Sequence, residues 1–444
     1  LGDFTPLAIV SEKRTFTSGR NALSTQLDLD QLRRAVADGG VAFRCRVKLQ
    51  PAGGEGTKVF PPTYAGAVYA TEKRRLPGHA DPVECVLLDS VQSQANRMEE
   101  SLQQALDAGR IKIPIVEVDF NPYFPGMGQP ENRRLVDPVG KVSSLQAPHR
   151  IADAVLRDSL HDGVAFRKSE IGKRISMVSA RDATALFEHC PTALVLGMWD
   201  STGPKGGLGA KFERALVAEI VGINAVYGVK SSSRIDPLGI QKDAGPLYAG
   251  PDGDWTLDKA LARKEKGNPV PLGKEGRPSE ANHGNVTPSL SDRDRETKEY
   301  LAGGVTISHA EQTVVLSLPA LRRLRFPANG AMNDELDNAA RTVLAALGLC
   351  ATAMAAEAGQ DLRSRCLLWP VEPLTWELLS APGSPPERLG LDAATAIDLL
   401  KNAVKGAKDL GLPWCEAPVV LTPSDALVEL VVKSQKLSAQ KGGE

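Results

Sequence analysis

The sequence predicts an α+β protein, a sheet core that carries large insertions. Three features predict it. Residues 41–49 alternate strictly, with Val41, Phe43, Cys45, Val47 and Leu49 on one side and Arg44, Arg46 and Lys48 on the other, the period of a half-buried strand. Val91, Ala95, Met98, Leu102 and Leu106 form an apolar stripe with helical spacing. Between such segments, hairpin-like and crossover-like spacings mix irregularly, which fits a doubly wound parallel sheet poorly.

The elements follow in order. Residues 51–66, PAGGEGTKVFPPTYAG, are too rich in Gly and Pro for regular structure. Residues 83–88 read as a short strand, after which Asp89 or Ser90 can cap the striped helix and Gly109 can stop it. Residues 113–120 resemble a strand, and 121–138 an irregular loop carrying Arg133 and Arg134. Pro148 suits the first turn of a helix through about residue 160, with Ile151, Ala154 and Val155 inward. Ser179 with Asp182 makes a capping-box pattern for a short helix ending near His189.

The next unit is the most informative. Residues 192–199 read as an apolar strand, followed by DSTGPKGGLGAK and an amphipathic helix with the stripe Phe212, Leu216, Ile220, Ile223 and Tyr227. A second strand then ends in SSSRIDPLG. From 241 to 300 periodicity disappears, which predicts a disordered segment or a functional insertion. Strand character returns at 304–318, and an Ala-rich helix spans 333–358, closed by Gly359. A strand around 366–371 and helices at 392–410 and 424–436 complete the chain.

Composition narrows the function. The 444 residues carry a formal net charge of −1, which argues against a generic basic coat for nucleic acid. The charge is uneven, however: residues 131–240 carry about three excess positives and the stretch after Gly330 about five excess negatives. Cys45, Cys85, Cys190, Cys350, Cys366 and Cys415 include no CxxC pair and read as buried thiols of a reducing compartment. No signal-peptide pattern is visible, and the apolar run 343–356 is too short to span a bilayer. These readings predict a cytoplasmic chain with no membrane partner.

Four groups of residues could carry chemistry. A glycine-rich loop feeding a helix N-terminus leaves N–H groups free for an anion, and here Lys205 and Lys211 flank Gly203, Gly206, Gly207 and Gly209. The loop lacks the spacing and hydroxyl of a Walker motif, so it reads as a non-hydrolytic phosphate site or a structural loop. Arg44, Arg46 and Lys48, roughly 7 Å apart along a strand, match successive phosphates of an extended single strand, or a solvated face. Gln92, Gln94, Asn96 and Arg97 can pair with sugar, base or phosphate, or form a polar helix face. Ser231, Ser232, Ser233 and Arg234 suit phosphate contacts at a strand end, and His149 with Arg150 could hold an anion. The six histidines show no metal-ligand spacing and no nucleophile elbow occurs.

Several of these stretches together resemble one family. VKLQPAGGEGTKVFPPTYAG, LLDSVQSQANRMEE, PHRIADAVLRDS, TALVLGMWDSTGPKGGLGAKFERALVAEIVG, SSSRIDPLGI and PSEANHGNV are similar, in this order, to the backbone subunit of type I CRISPR surveillance complexes. That subunit is the Cas-seven group of the RAMP superfamily, here of the I-U or I-G subtype. The resemblance spans residues 41 to at least 305. It implies an RNA-recognition-motif-like, ferredoxin-like palm over 1–240 and 301–380 with finger insertions. Residues 241–300 would be a flexible thumb or finger, and 381–444 a helical C-terminal segment.

The function implied is non-catalytic. Copies polymerise along the guide (crRNA) spacer, present it for pairing with target DNA, and contact other subunits of the Cascade complex. No cofactor or metal is implied. RNA contacts would fall on Arg44, Arg46, Lys48, Lys58, Gln92, Gln94, Asn96, Arg97, His149, Arg150, Lys205, Lys211, Arg214 and Ser231 through Arg234. Two alternatives remain at this point. One is a type III-like backbone ribonuclease using Asp243, Asp252, Asp254 or Asp292. The other is a phosphate-binding metabolic enzyme.

Overall fold

A computed structural model describes residues 25–203, 210–291, 302–327 and 333–441. The α+β expectation is met. Four antiparallel strands form the centre, in the order Thr375–Leu379, Ala42–Pro51, His309–Ser317 and Leu216–Ile223. Val83–Asp89 and Thr71–Arg74 extend this sheet at one edge, Glu387–Gly390 and Thr25–Gln26 at the other. With the helices Val91–Asp107 and Asp334–Glu357, the four central strands run strand, helix, strand, strand, helix, strand along the chain.

The alternation of the first strand is realised. Phe43, Cys45, Val47 and Leu49 are buried while Arg46 and Lys48 are exposed. Ser90 caps the following helix, its Oγ accepting from the Ser93 N–H at 3.2 Å, and Gly109 leaves it at φ 68°. Asn333 caps Asp334–Glu357, whose first turn holds Asp334, Glu335 and Asp337 against the helix dipole. This helix is long and apolar enough to cross a membrane, yet 89% of its most apolar window is buried inside the fold. It packs on the other long helix, where Thr352 Oγ1 lies 3.9 Å from Met98 Sδ. At Gly348 it packs closely: a Cβ there would sit 3.2 Å from Val195 Cγ1, and at ordinary contact distance, 3.5 Å, from Leu216 and Leu316 of the sheet.

A second sheet joins the two halves of the chain. Its order is Val164–Ala165, Ser159–His161, Val419–Pro423, Val116–Asp119 and Lys141–Ser143. The C-terminal stretch therefore contributes two strands, Glu387–Gly390 and Val419–Pro423, as well as its helices. Those strands are only four and five residues long, too short for periodicity to reveal.

Four local expectations are overturned. Residues 192–199 hold a helix, Thr192–Val195, and only a two-residue strand, Met198–Trp199, because a continuous apolar run has no period to separate the two. The helix expected through 212–227 is instead strand, Leu216–Ile223 with Val226–Tyr227. Its branched residues Val217, Ile220, Val221 and Ile223 favour extended backbone, and it is clamped between two neighbours. The helix expected from Pro148 is reduced to a 3-10 turn, Arg150–Ala152, and one turn, Ala154–Arg157. Arg150 sits at φ 52° and interrupts it. Ser179 and Asp182 make no capping box: they bond through their backbones, and Thr184–His189 starts where Asp182 Oδ1 accepts from the Thr184 N–H.

The aperiodic insertion is built from paired ribbons. Lys230–Arg234 pairs with Val286–Ser291, and beyond it lie Tyr248–Ala249 with Trp255–Thr256 and Lys264–Glu265 with Asn268–Pro269. Two-residue strands fall below any periodicity window. This arm projects from the connection between the central strands Leu216–Ile223 and His309–Ser317, with Val226–Tyr227 paired to Val305–Thr306 at its root.

His189 gives the fold a pH dependence. It is buried, and among the described residues neither ring nitrogen has a hydrogen-bond partner, the Glu188 carboxylate lying 3.5 Å from Nε2. Burial, with Arg174 and His161 nearby, holds its pKa below the usual 6.5 against the opposing pull of Glu188. The unfolded chain then takes up the proton first, so stability present above pH 6.5 is lost as pH falls below it. His189→Phe is expected to flatten urea-denaturation midpoints between pH 7.5 and 5.5; an unchanged acid slope would refute the assignment.

Candidate functional site

The expected basic strand face is charge-compensated. Register places Glu377 opposite Arg44, and their ion pair closes at 2.7 Å. Arg46 reaches diagonally to both Glu311 oxygens at 2.9 and 2.7 Å. On the same sheet Arg74 pairs with Glu219 at 2.8 Å. Lys48 alone of the predicted row has no carboxylate within 4.0 Å among the described residues. Cross-strand partners lie hundreds of residues away, so the row read as basic in sequence.

The LLDSVQSQANRMEE stretch forms a buried hub. The Asp89 carboxylate is fully buried and accepts from Ser93 Oγ at 2.7 Å, Gln94 Nε2 at 2.6 Å and Arg97 Nε at 2.9 Å. Arg363 approaches its other side at 3.5 Å and also donates to the Leu88 carbonyl. Gln94 accepts from Gln312 of a central strand at 2.7 Å. Gln94 and Arg97 therefore fix the helix to the sheet. Gln92 and Asn96 stay exposed on the opposite side. Neither Arg363 nor Gln312 was singled out from the sequence; only the polar run itself signalled the hub.

Arg150 is likewise a core residue. Its guanidinium meets both oxygens of the buried Glu99 at 2.6 and 2.8 Å and donates to the Gly197 carbonyl at 3.0 Å. Burial pushes the Glu99 carboxyl up to about 7, against the pull of Arg150. His149 remains exposed, its backbone N–H bonded to Asp153. Arg214 lies near this pair, and burial followed by the Arg150 charge lowers its pKa.

The segments on either side of the glycine-rich loop are short strands, and no helix follows it directly. Met198–Trp199 pairs with Lys211–Phe212 across it. Arg167 braces its first side, bonding Asp200 at 2.6 Å and the Thr202 carbonyl at 2.5 Å. Without a following helix, the dipole that would favour an anion is missing. Lys211 is exposed, with its ammonium 5.8 Å from the Trp199 ring. Lys205 and the glycines at 206, 207 and 209 lie outside the described residues.

At the root of the arm, Lys58 runs across two glycines, Gly228 and Gly304. A Cβ on Gly228 would meet its Nζ at 2.6 Å, and one on Gly304 would meet its Cδ at 2.6 Å. Beside it, the Arg365 guanidinium covers the Phe60 ring at 3.9 Å.

The structure brings SSSRIDPLG and EANHGNV together. Arg234 donates to the carbonyls of His283, at 2.7 Å, and Gly284, at 2.9 Å. Asp236 accepts from Leu238 at 3.0 Å and from Gly284 at 2.5 Å. Arg234 thus holds the arm's return loop, while Ser231 to Ser233 are exposed on the ribbon and Ser232 bonds Ser289 at 2.8 Å.

The cations left without a carboxylate within 4.0 Å, among the described residues, include Lys48, Lys58, Lys211 and Arg214. Also among the described residues, no cluster of three or more His, Cys, Asp or Glu could hold a metal. The arrangement offers positive charge for binding.

Residues 43–227 match the family model described as CRISPR-associated protein GSU0053. The match starts in the first central strand and ends at the arm root. The match covers less than half of the chain and shows that this segment is similar to a CRISPR-associated family. No curated protein matches the chain.

Proposed function

We propose that the chain is a non-catalytic backbone subunit of a type I CRISPR surveillance complex, binding guide RNA along its spacer. The observation that carries this reading is the CRISPR-associated match over residues 43–227. Two further features support it. The central strands and two long helices have the chain order and strand order of an RNA-recognition-motif-like palm. The arm inserted between the third and fourth of those elements fits the thumb or finger of this reading. Guide contacts go to the sugar–phosphate backbone, because a variable spacer forbids base readout. Further copies and other complex subunits are its protein partners, and target DNA reaches it through guide pairing.

The test is co-expression with the neighbouring complex subunits and a repeat–spacer RNA, followed by size-exclusion chromatography. The expected product is a multi-copy particle containing RNA of one length. Recovery of RNA-free monomers would overturn the proposal.

A further inference from the structure

The open face of the central sheet carries an aromatic patch that the guide-binding reading does not use. On Cys366–Pro370, Leu367 and Trp369 are 47% and 61% exposed, and Val371 just beyond is 40% exposed. This strand pairs with the end of Ala42–Pro51, so Trp369 stands directly beside Gln50. Val371 bonds the Lys48 carbonyl, which brings Lys48 to the same face, directly opposite Glu311, whose two oxygens are held by Arg46. His309 is close enough that the Lys48 charge, after burial, lowers its pKa. One surface thus combines an exposed indole, a carboxamide, an imidazole and an ammonium, beside the Arg46–Glu311 ion pair.

We propose that this face is a stacking platform for an unpaired nucleobase of single-stranded nucleic acid, with Trp369 as the platform and Lys48 holding the adjoining phosphate. Stacking on an aromatic face is tolerant of sequence, and a cation beside it tracks the backbone. Charge selects this occupant over a protein. Arg46 already holds both Glu311 oxygens, so Lys48 leaves one net positive charge on this face. An apolar protein surface seated on Leu367, Trp369 and Val371 would desolvate it, whereas a phosphate neutralises it. Gln50 can bond a base edge without discriminating strongly among bases. The platform deepens the proposed guide-binding function and rests on it for the source of the strand.

The full chain is titrated with fluorescein-labelled 12-mers of oligouridine and oligothymidine, read by anisotropy. Trp369→Ala is expected to weaken binding about fivefold or more, the loss typical of one stacked base. Trp369→Phe, which keeps an aromatic face, should stay within about threefold of the wild type. Lys48→Gln should reduce the slope of log K against log salt by about 0.7. Circular-dichroism melts of each variant control for folding. Oligouridine binding without oligothymidine binding assigns the site to RNA, and equal binding to both assigns it to either strand.

Wild-type affinity in Trp369→Ala overturns the platform, as does altered self-association with unaltered oligonucleotide affinity. Guide RNA retained by the co-expressed complex while Trp369→Ala binds oligonucleotide normally removes the platform alone. Trp369-dependent oligonucleotide binding by a chain that never acquires guide RNA removes the guide-binding reading alone.

Discussion

Arg150→Met is expected to destabilise the fold by about 3–5 kcal/mol, the cost of stranding one charge of a buried pair. Glu99 is buried, and Arg150 supplies both hydrogen bonds that satisfy its carboxylate. Removing the guanidinium leaves Glu99 to ionise alone or to take up a proton. Its pKa already stands at about 7 with Arg150 present, and losing that charge moves it higher. A folded-state pKa above the unfolded value means the folded chain binds the proton more tightly. Stability of the variant should therefore fall further as pH rises from 6 to 8.5, and guanidinium melts across that range measure it. A loss below about 1 kcal/mol at pH 8 would show that the pair is solvated.

The double variant Glu99→Met with Arg150→Met separates charge from packing. With both charges gone, no ion is stranded, and much of the stability should return. The Gly197 carbonyl, bonded by Arg150 at 3.0 Å, still loses its donor, so a residual cost of about 1 kcal/mol is expected. A double variant as unstable as the single one would place the effect in lost packing and the unpaired Gly197 carbonyl, not in the ion pair.

Arg150 also shows where sequence reasoning stops. PHRIADAVLRDS reads as an anion-binding helix start because histidine and arginine follow a proline. Glu99 lies 51 residues earlier, on a helix whose own stripe gives no reason to turn a glutamate inward. Arg44 and Arg97 follow the same logic: Glu377 and the Leu362 carbonyl belong to strands far along the chain. Local signals with strong periodicity survived, as in Ala42–Pro51, Val91–Asp107 and Asp334–Glu357, because burying one face is a local demand on spacing. The Leu216–Ile223 segment failed for the converse reason. Its apolar residues satisfy both periods, and only the two flanking strands decide. Trp369 escaped notice because one aromatic in a short strand has no pattern; its meaning comes from Gln50 and Lys48 across the sheet.

The largest functional effect should come from four uncompensated cations, changed together. Lys48→Gln, Lys58→Gln, Lys211→Gln and Arg214→Gln remove charges that have no carboxylate within 4.0 Å among the described residues. For single-stranded nucleic acid each lost phosphate contact lowers the slope of log K against log salt by about 0.7, so four contacts lower it by about 3. Guide RNA held at 100 mM salt by the wild-type assembly should then be released by the quadruple variant at that same salt. The matched control is Arg44→Gln with Arg46→Gln, whose charges are already spent on Glu377 and Glu311. Those two changes leave Glu377 without its arginine and Glu311 facing Lys48 alone, on a partly exposed sheet face where pairs contribute up to about 1 kcal/mol. Stability should shift little and the salt slope less than in the quadruple variant. The measurement is the RNA-to-protein ratio of the purified assembly across a salt gradient. Equal slopes in the quadruple variant and the wild type would mean that RNA lies on none of these cations. A steeper loss from the control pair would mean that RNA displaces the glutamates and claims the ion-paired arginines instead.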